Sequence, residues 1–222
     1  KKMESENLVD DEVDNLVRTS DPVGLSRNLM AADIRRSANI VAMAGEALVA
    51  KQKRSSIRLN KEIEAVVKRQ RSLELKMTRV LKELKLEKGG QATVHLMAYD
   101  YICDLSQSAR IMVEEQYNHL ANFHKEPHGG FLLAYGDLLN LFSPYMNRIV
   151  AALESGKSVP HGDLLNAKRQ IVLDINRALE LDVQRYRQGD LTTRQTHLQT
   201  KLLLELRDIT ALAYRVHKVY FG

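Results

Sequence analysis

Residues 51–88 contain an apolar seam of helical spacing, which constrains the fold of this chain more than any other pattern. Successive seam positions are alternately four and three residues apart and therefore share one face of an α-helix. They are Leu59, Ile63, Val66, Gln70, Leu73, Met77, Val80 and Leu84. The segment also holds thirteen Lys and Arg against five Asp and Glu, a surplus of eight, while the whole chain carries +5. The pattern predicts one long helix that packs along its seam and presents a basic face.

Helical patterns continue through the rest of the chain. Trp is absent, and the 222 residues include only 11 Gly and 4 Pro, which is typical of a helical protein rather than a many-turned β protein. No stretch shows a sustained strand alternation, so the predicted class is all-α. Six long antiparallel helices are expected, at about 22–52, 56–86, 91–124, 130–155, 163–188 and 191–220.

The break at Glu126-Pro127-His128-Gly129-Gly130 divides the six predicted helices into two sets of three. We therefore predict an acidic linker at 1–20 and two tandem three-helix bundles, at 21–125 and 126–222. Sequence identity between the two halves is weak, so the repeat is architectural.

Three local signals mark helix ends or interruptions. Asp163 is the expected cap of the fifth helix, and Thr192 followed by Gln195 resembles a capping box at the start of the sixth. Pro144 lies inside the fourth helix and predicts a kink or a split there, because proline removes one backbone donor.

Composition also bounds the classes of function. A single cysteine, Cys103, excludes an intramolecular disulfide framework and a cysteine-rich zinc site. No nucleophile or acid–base set suggests catalysis, so an enzyme is not expected. No apolar run approaches the roughly 20 residues that span a bilayer. The chain begins at Lys1 rather than at a methionine, which we interpret as a piece of a longer protein with a membrane segment upstream.

Three segments resemble the PhoU family of phosphate regulators, and more closely the PhoU-like cytoplasmic domain at the C-terminus of bacterial sodium/phosphate cotransporters. Leu25–Met30 through Asn39–Ala44 looks like the first helix of that domain, Asn60–Glu64 like its second and His95–Leu105 like its third. The resemblance implies tandem three-helix bundles attached to a membrane part. The order of helices is similar over about 22–221, whereas the amino-acid sequence is similar only in these three segments.

The resemblance also bears on metal binding. PhoU proteins carry a Glu/Asp-x-x-x-Asp metal motif on the third helix of each repeat. Here Asp100 keeps a leading acid, but Ile102 and Ser106 stand where ligands are expected, and Glu205 is followed four residues later by Ile209. We therefore expect no metal and no other cofactor. Asp100, Asp104 and Asp208 remain as weak vestigial candidates, more simply interpreted as a polar stripe. His119, His124 and His128 are interpreted as solvated loop histidines.

Several partners are open for the basic face of 51–88. It can bind an anionic membrane surface, dock on an acidic patch of a partner, or remain a solvated face. Nucleic acid is not expected, because no helix-turn-helix pattern or aromatic platform accompanies the charge. The candidate docking residues are Arg58, Lys61, Lys68 and Arg69. The seam at 59–84 could instead form a homodimer interface.

Together these features predict a regulatory domain that modulates phosphate uptake by a sodium-dependent transporter. Its partner is then the membrane part of the same chain, at the cytoplasmic face of the inner membrane. The alternative is a free-standing, PhoU-like, metal-binding regulator of phosphate signalling.

Overall fold

The computed structural model describes residues 22–50, 61–62, 64–65, 68, 89–122 and 126–222. Within these ranges the chain forms five long α-helices and no strand, which confirms the all-α prediction for the described part. The helices are α1 (Pro22–Val49), α2 (Gly89–Ala121), α3 (Gly129–Ser155), α4 (His161–Arg187) and α5 (Thr193–Phe221). None of these described helices combines the length and the apolar character needed to cross a bilayer.

Helix α3 carries the seam that the sequence predicts to be the strongest, and this seam lies in the core. All six predicted seam residues are buried: Phe131, Tyr135, Leu138, Phe142, Tyr145 and Ile149. Pro144 was predicted to kink or split this element. The split is wrong, because α3 runs unbroken from Gly129 to Ser155. Pro144 and Asn140 are both exposed, so water can satisfy the carbonyl that loses its helical donor.

Helices α1 and α3 approach closely at a glycine. Gly45 is buried in α1, and a Cβ added there would collide with Leu139 and lie 3.3 Å from the ring of Tyr135. Two further buried small residues, Ala31 and Ala38, share the helix face of Gly45 at seven-residue spacing. These small side chains allow the backbones of α1 and α3 to pack at short range.

The ends of α4 and α5 are built differently. Thr192 and Gln195 form the predicted capping box of α5. The prediction that Asp163 caps α4 is wrong: the cap position is Pro160, which provides no side-chain hydrogen bond, and Asp163 lies in the first turn. There its negative charge still favours the positive end of the helix dipole. Between the two helices Gly189 adopts a φ of 82°, a conformation that favours glycine.

One hydrophobic core joins all five described helices. It includes Met30 of α1, Leu105 of α2, Phe142 of α3, Ile171 of α4 and Leu206 of α5. The most extensive helix contacts are α2 with α5 and α1 with α3, and both pairs cross the predicted division at 125–126. The division into two three-helix bundles stays a prediction, since most of its second helix lies outside the described residues.

Candidate functional site

The predicted docking residues are only partly within the described structure. Lys61 and Lys68 are helical and exposed, as are Glu64 and Ala65 between them. Positions 61, 64, 65 and 68 share one helix face, which is the face opposite the predicted seam. Arg58 and Arg69 lie outside the described residues, as does the seam that could form a homodimer. Docking through this face stays a prediction.

The three vestigial metal candidates lie at the surface. Asp100, Asp104 and Asp208 are all exposed, and Asp208 lies 3.8 Å from the Nε of its neighbour Arg207. Among the described residues, no group of three or more His, Cys, Asp and Glu side chains converges closely enough to hold a metal ion. The structure therefore brings none of these acids together.

The predicted loop histidines have different environments. His119 is 5% exposed within α2, so its interpretation as a solvated loop residue is wrong. His128 is exposed, and its Nδ1 accepts a hydrogen bond from the Gly130 backbone at 3.1 Å as the N-cap of α3. His124 lies outside the described residues.

A cluster of cations that the sequence did not single out lies where α4 begins and α5 ends. Tyr214 is at its centre and is 8% exposed. The Nζ of Lys168 lies 4.6 Å from the centroid of the Tyr214 ring, and the Tyr214 hydroxyl lies 3.0 Å from His161 Nε2. The guanidinium of Arg215 lies over Tyr101 of α2, with its Cζ 5.6 Å from the ring centroid. We call Lys168, Arg169 and Arg215 the basic cluster.

The positive charges of the basic cluster repel one another. Burial lowers the pKa of the Lys168 ammonium, and the neighbouring positive charges of Arg215 and Arg169 lower it further. A neighbouring carboxylate would instead raise the pKa of the lysine. The cluster thus places positive charges against the partly buried rings of Tyr214 and Tyr101.

A buried histidine lies beside this cluster, one turn along α5. His217 is 2% exposed, and neither of its ring nitrogens has a hydrogen-bond partner. Its ring packs against Phe221 with centroids 4.9 Å apart. Burial lowers the pKa of His217, and the nearby His161 lowers it further. His217 is therefore a buried imidazole without a hydrogen-bond partner near the basic cluster.

A second polar site lies about 20 Å farther along α4, as the helical rise over the fourteen residues from Lys168 to Asp182 implies. The carboxylate of Asp182 is buried and lies 3.3 Å from Arg185 Nη1. With its amide oriented so that its oxygen accepts from the His128 N–H at 3.0 Å, Gln199 donates to both Asp182 oxygens at 2.9 and 3.1 Å. Burial raises the pKa of Asp182 to about 6, against the opposing effects of Arg185 and His128.

This second site has a structural role. It joins the start of α3 to α4 and α5, and Gln195 of α5 adds a hydrogen bond from its side chain to the Glu126 carbonyl. The Asp182 site therefore anchors residues 126–130, where the sequence signalled only a break.

An open groove of about 440 Å³ lies between the end of α4 and the start of α5. Its lining is rich in hydroxyls: Tyr186, Thr193, Thr196, His197, Thr200, Lys201 and Leu204. Lys201 pairs with Glu205 at 3.5 Å, so the groove offers little uncompensated charge. The basic cluster carries more uncompensated charge than this groove.

Sequence reasoning missed the basic cluster because its members are far apart in the chain. Lys168 and Arg215 are 47 positions apart by number, and only the antiparallel packing of α4 and α5 brings them together. The adjacent basic pair Lys168-Arg169 was the available local signal, and such pairs usually lie on solvated helix faces.

The chain matches no family model, no curated protein and no solved structure. The described fold and sites therefore define its class, an all-α helical bundle with a basic cluster at one end and a buried acid farther along. The resemblance to PhoU-like domains stays an interpretation of the three quoted segments.

Proposed function

We propose that this chain is the regulatory cytoplasmic domain of a sodium-dependent phosphate transporter. In this proposal it is joined to the membrane part of the same chain at the inner face of the membrane and modulates phosphate uptake. The observation that carries the proposal is the exposure of Lys61 and Lys68 on a helical stretch of the most basic segment. The resemblance of the three quoted segments supports the particular transporter class.

The two exposed lysines suit binding to an extended anionic surface. Seven residues make nearly two helical turns, so Lys61 and Lys68 lie on one face about 10 Å apart. A basic residue near an anionic membrane contributes about 1 kcal/mol of attraction. Two such residues, with the predicted Arg58 and Arg69, provide affinity without a deep pocket.

Regulation requires more than attachment. A docked domain changes transport only if its contacts differ between the transporter conformations, because equal binding to both shifts no equilibrium. The proposed role is therefore state-dependent docking, and it requires no catalysis by the domain.

Charge reversal in the full-length transporter tests the docking. We expect Lys61→Glu with Lys68→Glu to weaken the phosphate-dependent control of sodium-driven uptake and to make it less sensitive to salt. The matched control is Arg148→Glu with Arg187→Glu, which reverses two exposed charges on α3 and α4. Equal effects of the two pairs would show that only net charge matters.

Deletion of 22–222 addresses regulation directly. If phosphate uptake and its response to external phosphate are both unchanged in the deletion variant, the proposed function is wrong. The metal-binding alternative is separated by elemental analysis of the purified protein, since it requires bound iron or zinc.

A further inference from the structure

The basic cluster brings together three cations from α4 and α5 that have no acidic partner among the described residues. Other described cations form ion pairs within 4.0 Å, such as Arg35 with Glu154 at 2.7 Å and Arg177 with Asp174 at 3.0 Å. By contrast, no described Asp or Glu lies within ion-pair distance of Lys168, Arg169 or Arg215. Within the described part of the chain, these three neighbouring cations thus have no compensating negative charge at ion-pair distance.

Aromatic rings hold these cations in place without neutralising them. Lys168 lies against Tyr214, and Arg215 lies against Tyr101. Cation–π contacts of this kind orient a cation while leaving its hydrogen-bond donors available. The hydroxyl of Tyr214 is in turn held by His161. The cations are therefore positioned before any ligand arrives.

A second observation is independent of the charges. The buried His217, next to His161, keeps both ring nitrogens without partners. A buried donor left unpaired is costly in a native protein, and each such case calls for an explanation. Because the ring nitrogens of His217 are enclosed, a ligand at this end of the bundle is bound by the cations rather than by this histidine.

We propose that this end of the bundle binds a phosphate-type oxyanion, with Lys168 and Arg215 as the principal cationic ligands. Arg169 adds long-range attraction, and His161 holds the hydroxyl of Tyr214. Arginine matches the geometry of tetrahedral oxyanions by donating two parallel hydrogen bonds, and lysine binds them as a point charge. The site is distinct from the 58–69 face, so it can exist whether or not the proposed transporter function is correct.

The oxyanion can be free phosphate or the headgroup of a lipid. Isothermal titration of the full chain with inorganic phosphate, at constant ionic strength set by sodium chloride, tests the free anion. Flotation with phosphatidic acid vesicles, compared with phosphatidylcholine vesicles, tests the headgroup. Saturable binding in either arm supports the site, and the arm that responds identifies the source.

Two variants connect the binding to the cluster. We expect Lys168→Gln and Arg215→Gln each to weaken binding about tenfold, as the loss of one charge-assisted hydrogen bond implies. Arg148→Gln and Arg187→Gln, at exposed positions elsewhere, should leave it unchanged. Lys168→Arg keeps the charge and should restore most of the affinity.

Folding and non-specific charge effects are controlled in the same experiment. Arg215 is exposed, so its substitution should leave the helical circular dichroism and the thermal midpoint intact. The proposal is overturned if neither ligand binds saturably, if sodium chloride competes as well as phosphate, or if the cluster variants bind like the control variants.

Discussion

At the scale of single residues, Asp182 is the group whose environment most changes its chemistry. Burial raises its pKa from 3.8 to about 6, so the folded protein binds this proton more tightly than the unfolded chain does. The free energy of unfolding contributed by Asp182 is therefore greatest below about pH 4 and falls as the pH rises through about 6. His95 and His217 act in the opposite direction, because burial lowers their pKa values and acid favours the unfolded chain.

The Asp182→Asn variant isolates the carboxyl from the histidines. Asparagine keeps the shape and cannot ionise, so we expect stability to decline less from pH 4.5 to 7.5 than in the native protein. The difference should be about 1–3 kcal/mol, the size expected for a buried carboxyl with this shift. Urea denaturation across that range measures it. Asp174→Asn, a more exposed acid on the same helix, is the control. An unchanged pH slope in Asp182→Asn would contradict the assignment.

Two glycines within helices allow the same substitution to be compared in different surroundings. Gly136→Ala should stabilise the protein by about 0.5–1 kcal/mol, since nothing lies within 4 Å of the added Cβ and alanine is the better helix former. Gly45→Ala has the same gain in propensity but places its Cβ against Leu139 and Tyr135. We expect it to be at least about 1 kcal/mol less stable than Gly136→Ala, as overpacking implies. Equal thermal midpoints would show that the Leu139 side chain can move aside without cost.

At the scale of elements, the two C-terminal helices start by different devices. The α5 capping box satisfies backbone donors through Thr192, whereas α4 begins at Pro160 with no side-chain cap. Thr192→Ala should therefore cost about 1 kcal/mol of stability. Asp163→Asn removes only a favourable interaction with the α4 dipole and should cost less, about 0.5 kcal/mol. Chemical denaturation of both variants at low salt makes the comparison, and a larger loss for Asp163→Asn would contradict it.

The elements were the most predictable level of this molecule. Periodicity located α1 to α5 to within a few residues, because each helix buries a continuous apolar stripe. The split predicted at Pro144 was wrong, since the effect of a proline depends on whether water reaches the carbonyl that loses its helical donor. Asp163 misled because a good capping residue need not occupy the cap position. The basic cluster and the Asp182 site were not predictable, since each joins residues that only tertiary packing brings together.

At the scale of the whole molecule, the largest hydrophobic core draws on all five described helices. The contacts of α1 with α3 and of α2 with α5 both cross the division at 125–126. We therefore expect residues 126–222 alone to lose the cooperative thermal transition that the full chain shows, because apolar surface of α3 and α5 would be exposed. Circular dichroism during heating tests this. A sharp transition in the fragment would show that the second predicted repeat is a folding unit.

The hydrogen bond between Ser26 and Tyr220, at 2.7 Å, has a consequence for orientation. It places the second turn of α1 against the last turn of α5, at the end where His161, His217 and the basic cluster lie. If the proposed transporter function is correct, the polypeptide would enter the bundle at the end that carries the basic cluster. The buried Asp182 site would then lie toward the opposite end of the bundle from this point of entry.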